Sequence, residues 1–542
     1  MVTERNIINA LIIGASVILA PFVISSALTF NYIPLMIFGG VVLLGIAFFV
    51  LKEKLCMLPL LGTGIAGALN FLPLPLSATH VFCLLLILYF ITGYVLIKQK
   101  RITIGKPRLF WPIIIITAIV LYHNHSLNIK AAGGGDTEGG KPAILLLLVV
   151  VAYFCAINMV TPSVKFFSKI PLYFVILTGV SNMPYFLTTA FPSLAPYLYI
   201  VSNNVNVTAY LDSQADASMK TEGVGRLGAF GPLGQAVQLY LICQYPLMTW
   251  LRPSRWWVIV FSLVSMVFVL ASGFRNVLFD FGIVTLVGTW CYYRWHSFLF
   301  VGAGITALFL LLFASTNGLI PLHENKLPLI AQRTLSFLPG DWDQEALESA
   351  ASSNGFRQDI QDVYVREYMW KSPWIGNGFD INVKEFDSLS QLLKINRGIA
   401  DPAYIQAKTF IEGKLFHTGW VSVYDLVGII GSIAFVILGI NEVSMAAHLV
   451  FGPKADRRSA LFPLHVWLLC SIVVTVVSFF AVFGDFGTTF PLLCIYGIAL
   501  SHLYNIENKD AEVPVVRPDQ ANSAEFARLR ETSYGYPSKS RA

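Results

Sequence analysis

Charged side chains are scarce in this sequence. Asp, Glu, Lys and Arg make up 13% of its 542 residues, and hydrophobic residues make up 56%. Soluble domains carry roughly 25% charged residues. The shortage excludes an ordinary cytosolic enzyme, a disordered protein and a nucleic-acid-binding protein. The formal net charge of +6 fits basic cytoplasmic loops beside anionic lipid better than a DNA-binding surface.

Recognisable metal and disulfide patterns are also lacking. The seven cysteines lie in or beside apolar stretches, and no Cys-x-x-Cys pair occurs, so neither a disulfide framework nor a zinc site is predicted. His123 and His125 form a His-x-His pair without a carboxylate or cysteine nearby, which is a weak metal signal. We therefore predict no metal and no cofactor. The absence of an internal repeat counts against transporters built from duplicated halves.

Long apolar runs dominate the chain. A membrane-spanning helix needs about 20 mainly apolar residues, and about fourteen runs approach that length. We predict an all-α polytopic membrane protein with one transmembrane domain over residues 1–505. The predicted spans are Ile7–Thr29, Tyr32–Leu51, Leu55–Phe71, Ala78–Ile97, Leu109–Tyr122, Pro142–Val160, Ile170–Phe191, Ala229–Trp250, Trp256–Ser272, Val277–Tyr292, Phe298–Leu319, Gly419–Ile440, Leu461–Ala481 and Phe490–Tyr504.

The Lys and Arg residues set the orientation of these spans. With the N-terminus in the cytoplasm, most loop Lys and Arg fall inside, as the positive-inside rule requires. The short outside loops then hold few basic residues: Lys130, Lys141, Lys220, Arg226 and Arg275. The C-terminus is also cytoplasmic in this topology. Its polar tail, residues 506–542, is expected to be disordered.

Two segments on the outer side are longer than simple turns. They span residues 192–228 and 320–418. The second contains apolar patches with helical spacing, which predict amphipathic helices on the membrane surface. The patches are Leu327–Leu338, Trp342–Ala351, Phe356–Trp370 and Phe386–Ile395. Loops of this length are usually functional.

Four charged or titratable residues converge on the outer face in this topology. Arg226, Arg275, Arg357 and His417 are widely separated in the chain but lie on one side of the membrane at similar depth. Charge near hydrocarbon is costly and is usually retained for function, so these residues form our site hypothesis. Two simpler interpretations stay open: the arginines anchor to lipid headgroups, and the histidine only makes interface hydrogen bonds.

Two acidic residues near the spans are candidate supporting groups. Asp280 follows Arg275 by little more than one helical turn and is a candidate partner for it. Asp425 lies two turns below His417. Each either orients the site or only balances charge.

The same residues resemble motifs of the O-antigen ligase and O-antigen polymerase family of bacterial membrane glycosyltransferases. Gly225–Gly231 (GRLGAFG) is similar to its Arg-x-x-Gly entry to a central span, and Ser272–Arg275 (SGFR) to its Ser-Gly-Ser-Arg turn. Arg357 followed by Pro373–Gly378 (PWIGNG) is similar to its Arg…Pro-x-x-Gly-x-Gly run. His417, followed by Gly428–Gly431 (GIIG), is similar to its His-Asn…Gly-x-x-Gly run.

The resemblance covers roughly residues 226–431 and has departures. Phe274 replaces a small residue, and Thr418 stands where Asn is common. Asp425 is one residue away from a frequent Glu, which leaves its role open. Each motif alone is weak, and the signal comes from four motifs in the right order on one side of the membrane.

The resemblance implies a donor glycan linked through diphosphate to a polyprenol. The glycan would pass to an acceptor hydroxyl on a glycan or lipid core, in O-antigen or exopolysaccharide assembly at the bacterial inner membrane, with the active site facing the periplasm. Arg226, Arg275 and Arg357 would bind the diphosphate in place of a metal ion, because arginine binds phosphate bidentately and stays charged. His417 would act as general base, and attack from the opposite face would invert the anomeric centre.

Aromatic residues of the outer segment have two interpretations. Trp342, Tyr364, Trp370 and Trp374 either stack on sugar faces or belong to the interfacial aromatic belt. The function likewise has alternatives. A lipid-linked oligosaccharide flippase would handle a similar ligand but is expected to carry mid-membrane charges and short outer loops, and a protein O-glycosyltransferase would share the same site logic.

Overall fold

The structure, a computed structural model, covers most of the chain from residue 51 onward. The described residues are 51–69, 76–97, 107–126, 137–138, 140–199, 202–207, 227–294, 327–338, 342–379, 381–382, 401–416, 418–453, 455–482 and 484–512, with isolated positions at 209, 296, 299, 302 and 306.

Helices make up nearly all the regular structure of these residues. The α-helices are α1 (Leu58–Gly62), α2 (Ala78–Ile97), α3 (Pro107–Ser126), α4 (Gly140–Ile157), α5 (Val164–Phe167), α6 (Ile170–Ala190), α7 (Ala195–Tyr199), α8 (Phe230–Gln244), α9 (Trp256–Ala271), α10 (Arg275–Tyr293), α11 (Leu329–Leu335), α12 (Gln344–Glu367), α13 (Pro402–Glu412), α14 (Gly419–Phe451), α15 (Phe462–Ala481) and α16 (Phe486–Glu512). Single 3₁₀ turns occur at Lys52–Met57, Pro192–Leu194, Leu247–Thr249 and Pro253–Arg255.

Strands are limited to two short antiparallel pairs in the described part of the chain. β1 (Ala68–Leu69) pairs with β2 (Leu76–Ser77), and β3 (Thr137–Glu138) pairs with β4 (Ile381–Asn382). The second pair links the segment before α4 to the segment after α12.

Five described helices are long and apolar enough to cross a membrane. They are Ile170–Ala190, Pro253–Ala271, Gly419–Phe451, Phe462–Ala481 and Phe486–Glu507. Three shorter apolar helices accompany them: Ala78–Gly93, Arg108–Asn124 and Lys141–Ile157. The chain therefore has the architecture of an all-α, multi-pass membrane protein, as the apolar runs predict.

Helix α14 lies at the centre of the helix assembly. It packs against α3, α15 and α16, while α8 packs against α6, α9, α10 and α15. Phe435, Trp467 and Leu500 fill the interior between these helices. Apolar side chains on the outer surface of α9, such as Leu263 and Val267, are about 60% exposed. Apolar residues thus cover both the inside and the outside of the assembly, which is the pattern of a protein surrounded by lipid.

A kink divides α14 after its first turns. Gly428 has φ 65° and ψ −167° inside the helix, a backbone region that essentially only glycine adopts. The following Ile429 and Ile430 amides donate to the carbonyls of Pro373 and Trp374 (2.8 and 3.1 Å), and Gly378 donates to the Leu426 carbonyl. At the kink, backbone groups of α14 therefore form hydrogen bonds with the loop after α12 instead of with their own helix.

Helices α11, α12 and α13 of the predicted outer segment pack together and against the ends of the membrane helices. Helix α12 packs against α11 and α13, and α11 contacts α9 and α10. Helix α12 joins two stretches that the sequence pattern predicts as separate helices, Trp342–Ala351 and Phe356–Trp370, because the intervening residues continue the helix without a break. The predicted patch Phe386–Ile395 lies outside the described residues.

Two expectations from the apolar pattern are wrong. Leu55–Phe71 does not form a spanning helix: α1 has only five residues, and the chain is extended at β1 after Gly67, which has φ +83°. Residues Leu55–Leu61 are nevertheless buried, so the apolar run reflects burial rather than a span. At the other end, α16 continues to Glu512, so the first residues of the predicted disordered tail are helical.

Other predictions fall outside the described residues. The span Ile7–Thr29 does so entirely, Phe298–Leu319 does so except for positions 299, 302 and 306, and Tyr32–Leu51 does so up to its last residue. The tail beyond Glu512 and both termini are likewise outside.

Replacement of Gly428 by alanine is expected to unfold this region. A Cβ at this position would lie 2.4 Å from the Ile375 nitrogen and from the Trp374 carbonyl carbon, and the backbone would be strained as well. We expect Gly428→Ala to cost at least about 3 kcal/mol of the free energy of unfolding, measured by thermal or denaturant unfolding of the purified protein in detergent.

Gly355→Ala is the matched control for this test. Gly355 lies in α12, and a Cβ there would meet nothing within 4 Å, so alanine should be neutral or stabilise by up to about 1 kcal/mol. Equal effects of the two substitutions would contradict the kinked geometry of α14.

Candidate functional site

The turn between α9 and α10 positions Arg275. Ser272 is fully buried, and its hydroxyl donates to the Val269 carbonyl (2.7 Å) and accepts from the Phe274 amide (3.3 Å). Gly273 has φ +72°, which lets the chain reverse within two residues. The Ser-Gly-x-Arg pattern is therefore a turn that places an arginine at the first position of α10.

Arg275 reaches across to α12. Its Nη2 atom donates to the Ala350 carbonyl (3.1 Å) and to Asn354 Oδ1 (3.0 Å). Both acceptors are neutral, so the guanidinium charge is not compensated by them. Burial lowers the pKa of Arg275 below its ordinary value, although an arginine remains protonated in proteins.

Arg357 lies on α12 one turn beyond Asn354. Burial lowers the pKa of Arg357, and the positive charge of Arg275 lowers it further. Among the described residues, neither guanidinium makes an ion pair with a carboxylate. Two arginines that are far apart in sequence thus come together with their like charges unneutralised, which makes this position attractive for an anion.

Arg226 and His417 lie outside the described residues, but their chain neighbours are described. A Cβ on Gly228 would lie 3.7 Å from the Phe274 ring, and one on Gly231 would lie 3.3 Å from Ser272 Cβ. The described end of the GRLGAFG segment therefore packs on the turn that carries Arg275. A side chain would be crowded at Gly231, whereas a Cβ at Gly228 would make only an ordinary van der Waals contact.

The PWIGNG motif (Pro373–Gly378) contacts the GIIG motif (Gly428–Gly431). A Cβ on Gly376 would lie 2.6 Å from the Gly428 nitrogen and from the Asp425 carbonyl oxygen. The loop Pro373–Gly378 and the α14 kink therefore touch backbone to backbone, and neither glycine leaves room for a side chain. The loop also contacts α3, where His123 Nε2 bonds to the Ile375 carbonyl at 2.9 Å.

Asp425 joins this loop to the end of α13. Its side chain is 1% exposed, and Lys414 Nζ lies 2.6 Å from Oδ2. Asn377 Nδ2 donates to Oδ1 at 2.8 Å. Asp425 therefore connects two segments to α14. Lys414 belongs to the turn that precedes this helix, and Asn377 belongs to the loop that packs beside its first turns.

Lys414 and Asn377 are the residues that the sequence reasoning missed. Lys414 has φ 55°, a conformation stabilised here by its ion pair. A basic residue three positions before His417, in a segment expected to lie outside, was the available signal. Asn377 lies within the PWIGNG motif, in which the proline and the glycines alone carry the resemblance.

Tyr364 docks α12 onto the start of α14. It is fully buried, and its ring lies 6.2–6.4 Å from the rings of Phe416, Trp420 and Tyr424. Burial raises the pKa of the Tyr364 phenol, and the Asp425 charge raises it further. Tyr364 is on the same face of α12 as Arg357, two turns away, so this packing fixes the height of Arg357 above the membrane helices.

The buried position of Tyr364 excludes it as a sugar-stacking residue, contrary to one of the sequence interpretations. Trp342 is half-buried, and its Nε1 donates to the Leu338 carbonyl. Trp370 and Trp374 are 72% and 65% exposed, so both alternatives stay open for them.

Asp280 has partners other than Arg275. Gln235 Nε2 donates to its Oδ2 at 3.0 Å, and the Ser478 hydroxyl donates to its Oδ1. Asp280 therefore ties α10 to α8 and α15. The expected pairing with Arg275 is wrong, because Arg275 points toward α12.

Metal-binding side chains do not cluster in the part of the chain that the structure describes. No group of three or more His, Cys, Asp or Glu residues there has the geometry to hold a metal ion. The arrangement that the described residues do supply is cationic: two guanidinium groups at the end of the helix assembly where α11–α13 pack. Such a pair suits a phosphate or diphosphate.

The Lys414–Asp425 pair is expected to be strongly coupled. Removing one partner of a buried pair leaves an uncompensated charge and costs about 3–5 kcal/mol. We expect Asp425→Asn and Lys414→Met each to lower the free energy of unfolding, and the double variant to lose clearly less than the sum of the two. Denaturant unfolding of the four proteins in detergent measures this coupling.

Lys408→Met is the matched control. Lys408 forms a half-exposed pair with Glu412 at 3.8 Å, and such pairs contribute about 1 kcal/mol or less. Additive losses in the Lys414–Asp425 cycle would contradict the ion pair.

Comparison with known proteins assigns no family. No protein-family model matches this sequence, and no curated protein is significantly similar to it. A function for the Arg275–Arg357 pair and for the first turns of α14 must therefore be inferred from their geometry and from the sequence motifs.

Proposed function

We propose that this protein is a membrane glycosyltransferase of the O-antigen ligase and polymerase type. It moves a glycan from a polyprenyl-diphosphate donor to an acceptor hydroxyl, in O-antigen or exopolysaccharide assembly. The reaction takes place on the periplasmic side of the bacterial inner membrane. The donor is an amphiphile with a doubly charged head, so its site needs positive charge at the depth of the lipid headgroups.

The convergence of Arg275 and Arg357 is the observation that carries this proposal. Bringing two like charges together costs free energy unless an anion compensates them. The structure holds them in place from opposite elements, through the α9–α10 turn on one side and the Tyr364 docking contact on the other. Arginine offers several N–H donors in a planar fork, which match the oxygens of a diphosphate.

The position of the pair agrees with the proposed topology. The Thr334 hydroxyl of α11 donates to the Leu270 carbonyl at the end of α9, and α12 sits on the first turns of α14. The starts of α10 and α14 and the end of α9 thus lie on the same side as the α11–α13 segment. In our proposal this side is the periplasm, both termini are cytoplasmic, and about fourteen spans complete the domain.

His417 is the proposed general base. Its neighbours Phe416 and Thr418 bracket it just before α14, close in sequence to the Lys414–Asp425 pair. A neutral imidazole takes the proton of the acceptor hydroxyl as the oxygen attacks the anomeric carbon. The new glycosidic C–O bond forms as the bond to the diphosphate breaks, and the polyprenyl diphosphate leaves as an anion. The arginines, Arg226 included, stabilise that negative charge without a metal ion, and attack opposite the leaving group inverts the anomeric centre.

The outer helices favour an enzyme over a flippase. A flippase would need to open and close around its ligand, whereas α12 is fixed to α14 by a fully buried tyrosine and by the Pro373–Gly378 loop. A protein O-glycosyltransferase would use the same arginines and base with a different acceptor. The acceptor distinguishes these enzymes, and genetics can identify it.

Deletion of the gene in its native host tests the function directly. Gel analysis of cell-surface glycans should show loss of all long chains on the lipid core for a ligase, or a single-repeat pattern for a polymerase. Plasmid-borne wild-type protein should restore the pattern. Unchanged surface glycans in the deletion strain would contradict both assignments.

Loss of either described arginine should weaken donor binding. Hydrogen bonds to charged groups contribute about 1.5–3 kcal/mol, so Arg275→Ala or Arg357→Ala should lower the affinity for undecaprenyl diphosphate by roughly tenfold to a hundredfold. Arg357→Lys should recover only part of it, because lysine keeps the charge but loses the fork. Native mass spectrometry of the purified protein measures the binding.

Arg366→Ala supplies the matched control for the arginine variants. Arg366 is on the same helix as Arg357 but is exposed in its last turn, so its loss should leave the affinity unchanged. Equal losses at positions 357 and 366 would indicate general attraction of anionic lipid and would contradict a diphosphate site.

His417→Ala should slow turnover by roughly 10²–10⁴-fold without a comparable loss of donor binding. The reason is that the base acts on the acceptor during the chemical step, whereas the arginines hold the donor. Restoration of surface glycans in the deletion strain by each variant gives the cellular measurement. Wild-type glycans with His417→Ala would rule out the general-base assignment.

A further inference from the structure

Three buried polar side chains meet where α4, α14 and α16 pack together. Glu442 and Tyr153 are fully buried, and Ser501 is 4% exposed. Neither carboxylate oxygen of Glu442 has a hydrogen-bond partner among the described residues, and the Tyr153 and Ser501 hydroxyls lie within interaction distance of each other. Buried polar groups are nearly always paired, so this cluster requires an explanation.

Gly497 on α16 shows how closely these groups approach each other. A Cβ at this glycine would lie 3.1 Å from the Tyr153 ring and 3.3 Å from Glu442 Oε1. The Tyr153 hydroxyl interacts electrostatically with Glu442 and faces Ser501. The carboxyl, the phenol and the hydroxyl therefore belong to one junction of three helices.

Within the part of the chain that the structure describes, no neighbour supplies a positive charge to Glu442. The titratable groups that interact with it are Tyr153, Cys494 and Tyr496, all of which are neutral at pH 7 in their ordinary state. Arg108, on the neighbouring helix α3, is exposed and acts on Tyr504 instead. An isolated ionised carboxylate in an apolar interior is prohibitively costly, so the carboxyl must bind something positive.

The close packing around Glu442 favours a proton over a metal ion as its positive partner. A Cβ on Gly497 would lie within 3.4 Å of the Tyr153 ring, of Glu442 Oε1 and of the Leu109 side chain, so little space is left beside the carboxyl for a metal ion with its ligands. A protonated carboxyl is neutral and carries both a donor and an acceptor. The Tyr153 hydroxyl, which interacts with Glu442, can rotate to complete a hydrogen bond with this carboxyl, and Ser501 can bond to the Tyr153 hydroxyl in turn.

The junction is separate from the arginine pair. Glu442 lies roughly 25 Å further along α14 than Asp425, at 1.5 Å per residue. It is therefore near the membrane face opposite the proposed transferase site. Ionisable residues buried in membrane helices are usually retained for function.

We propose that Glu442, Tyr153 and Ser501 form a buried proton-binding site, with the proton on the Glu442 carboxyl in the packed state. Release of the proton leaves a buried anion and disfavours the packing of α4 and α16 on α14. The junction would thus respond to the proton concentration on the side of the membrane opposite the arginine pair. This proposal does not depend on the transferase function.

Infrared spectroscopy of the full-length protein in lipid nanodiscs tests the site. The spectrum of wild type minus Glu442→Gln at pH 7 should contain the C=O band of a protonated carboxyl. The difference spectrum for Glu53→Gln, a carboxyl that is not buried, should lack it. Absence of the band from the Glu442 difference spectrum would overturn the proposal.

Two further measurements keep the result decisive. Tyr153→Phe removes one facing hydroxyl, so the carboxyl band should shift in frequency, and this variant serves if Glu442→Gln does not fold. An unchanged frequency of the carboxyl band in Tyr153→Phe would contradict a contact between Tyr153 and Glu442. Loss of the band on adding sodium chloride at constant pH would also overturn the proposal, because it would show that a metal cation replaces the proton.

Discussion

The backbone contact between the Pro373–Gly378 loop and the kink of α14 is the constraint on which the site depends. At this point the amides of Ile429 and Ile430 bond to the loop instead of to their own helix. Gly428 and Gly376 allow the two chains to approach without side chains between them. The contact fixes the loop at the end of α12, and therefore α12 itself, against the central membrane helix. The Asp425–Asn377 contact and the C-terminal end of α12 are placed by this backbone contact.

Charge is organised around that contact in two different ways. Asp425 is neutralised internally by Lys414 and held by Asn377, so it stabilises the start of α14. Arg275 is held by the neutral acceptors Ala350 and Asn354, Arg357 is held by its place on α12, and no described carboxylate pairs with either guanidinium.

Local sequence patterns predicted the spanning helices but not the contacts between distant elements. The apolar runs of α6, α14 and α15 were long enough to identify, whereas Leu55–Phe71 shows that an apolar run also arises from a buried, irregular segment. Charge bias and tight turns predict that Arg275 and Arg357 lie on the same side of the membrane, and which side that is stays a prediction. Their proximity does not follow from these patterns, because it depends on the docking of Tyr364, and the roles of Lys414 and Asp280 likewise depend on partners from other helices.

The kink also has a consequence for biosynthesis. Residues 373–378 precede α14 in the chain, so the ribosome completes the hydrogen-bond acceptors for the kink before it completes the helix that needs them. Helix α14 can be inserted as a continuous apolar segment, but it can bend at Gly428 only once this earlier loop has folded against it. Assembly of the outer helices and maturation of the central membrane helix are thus a single cooperative step.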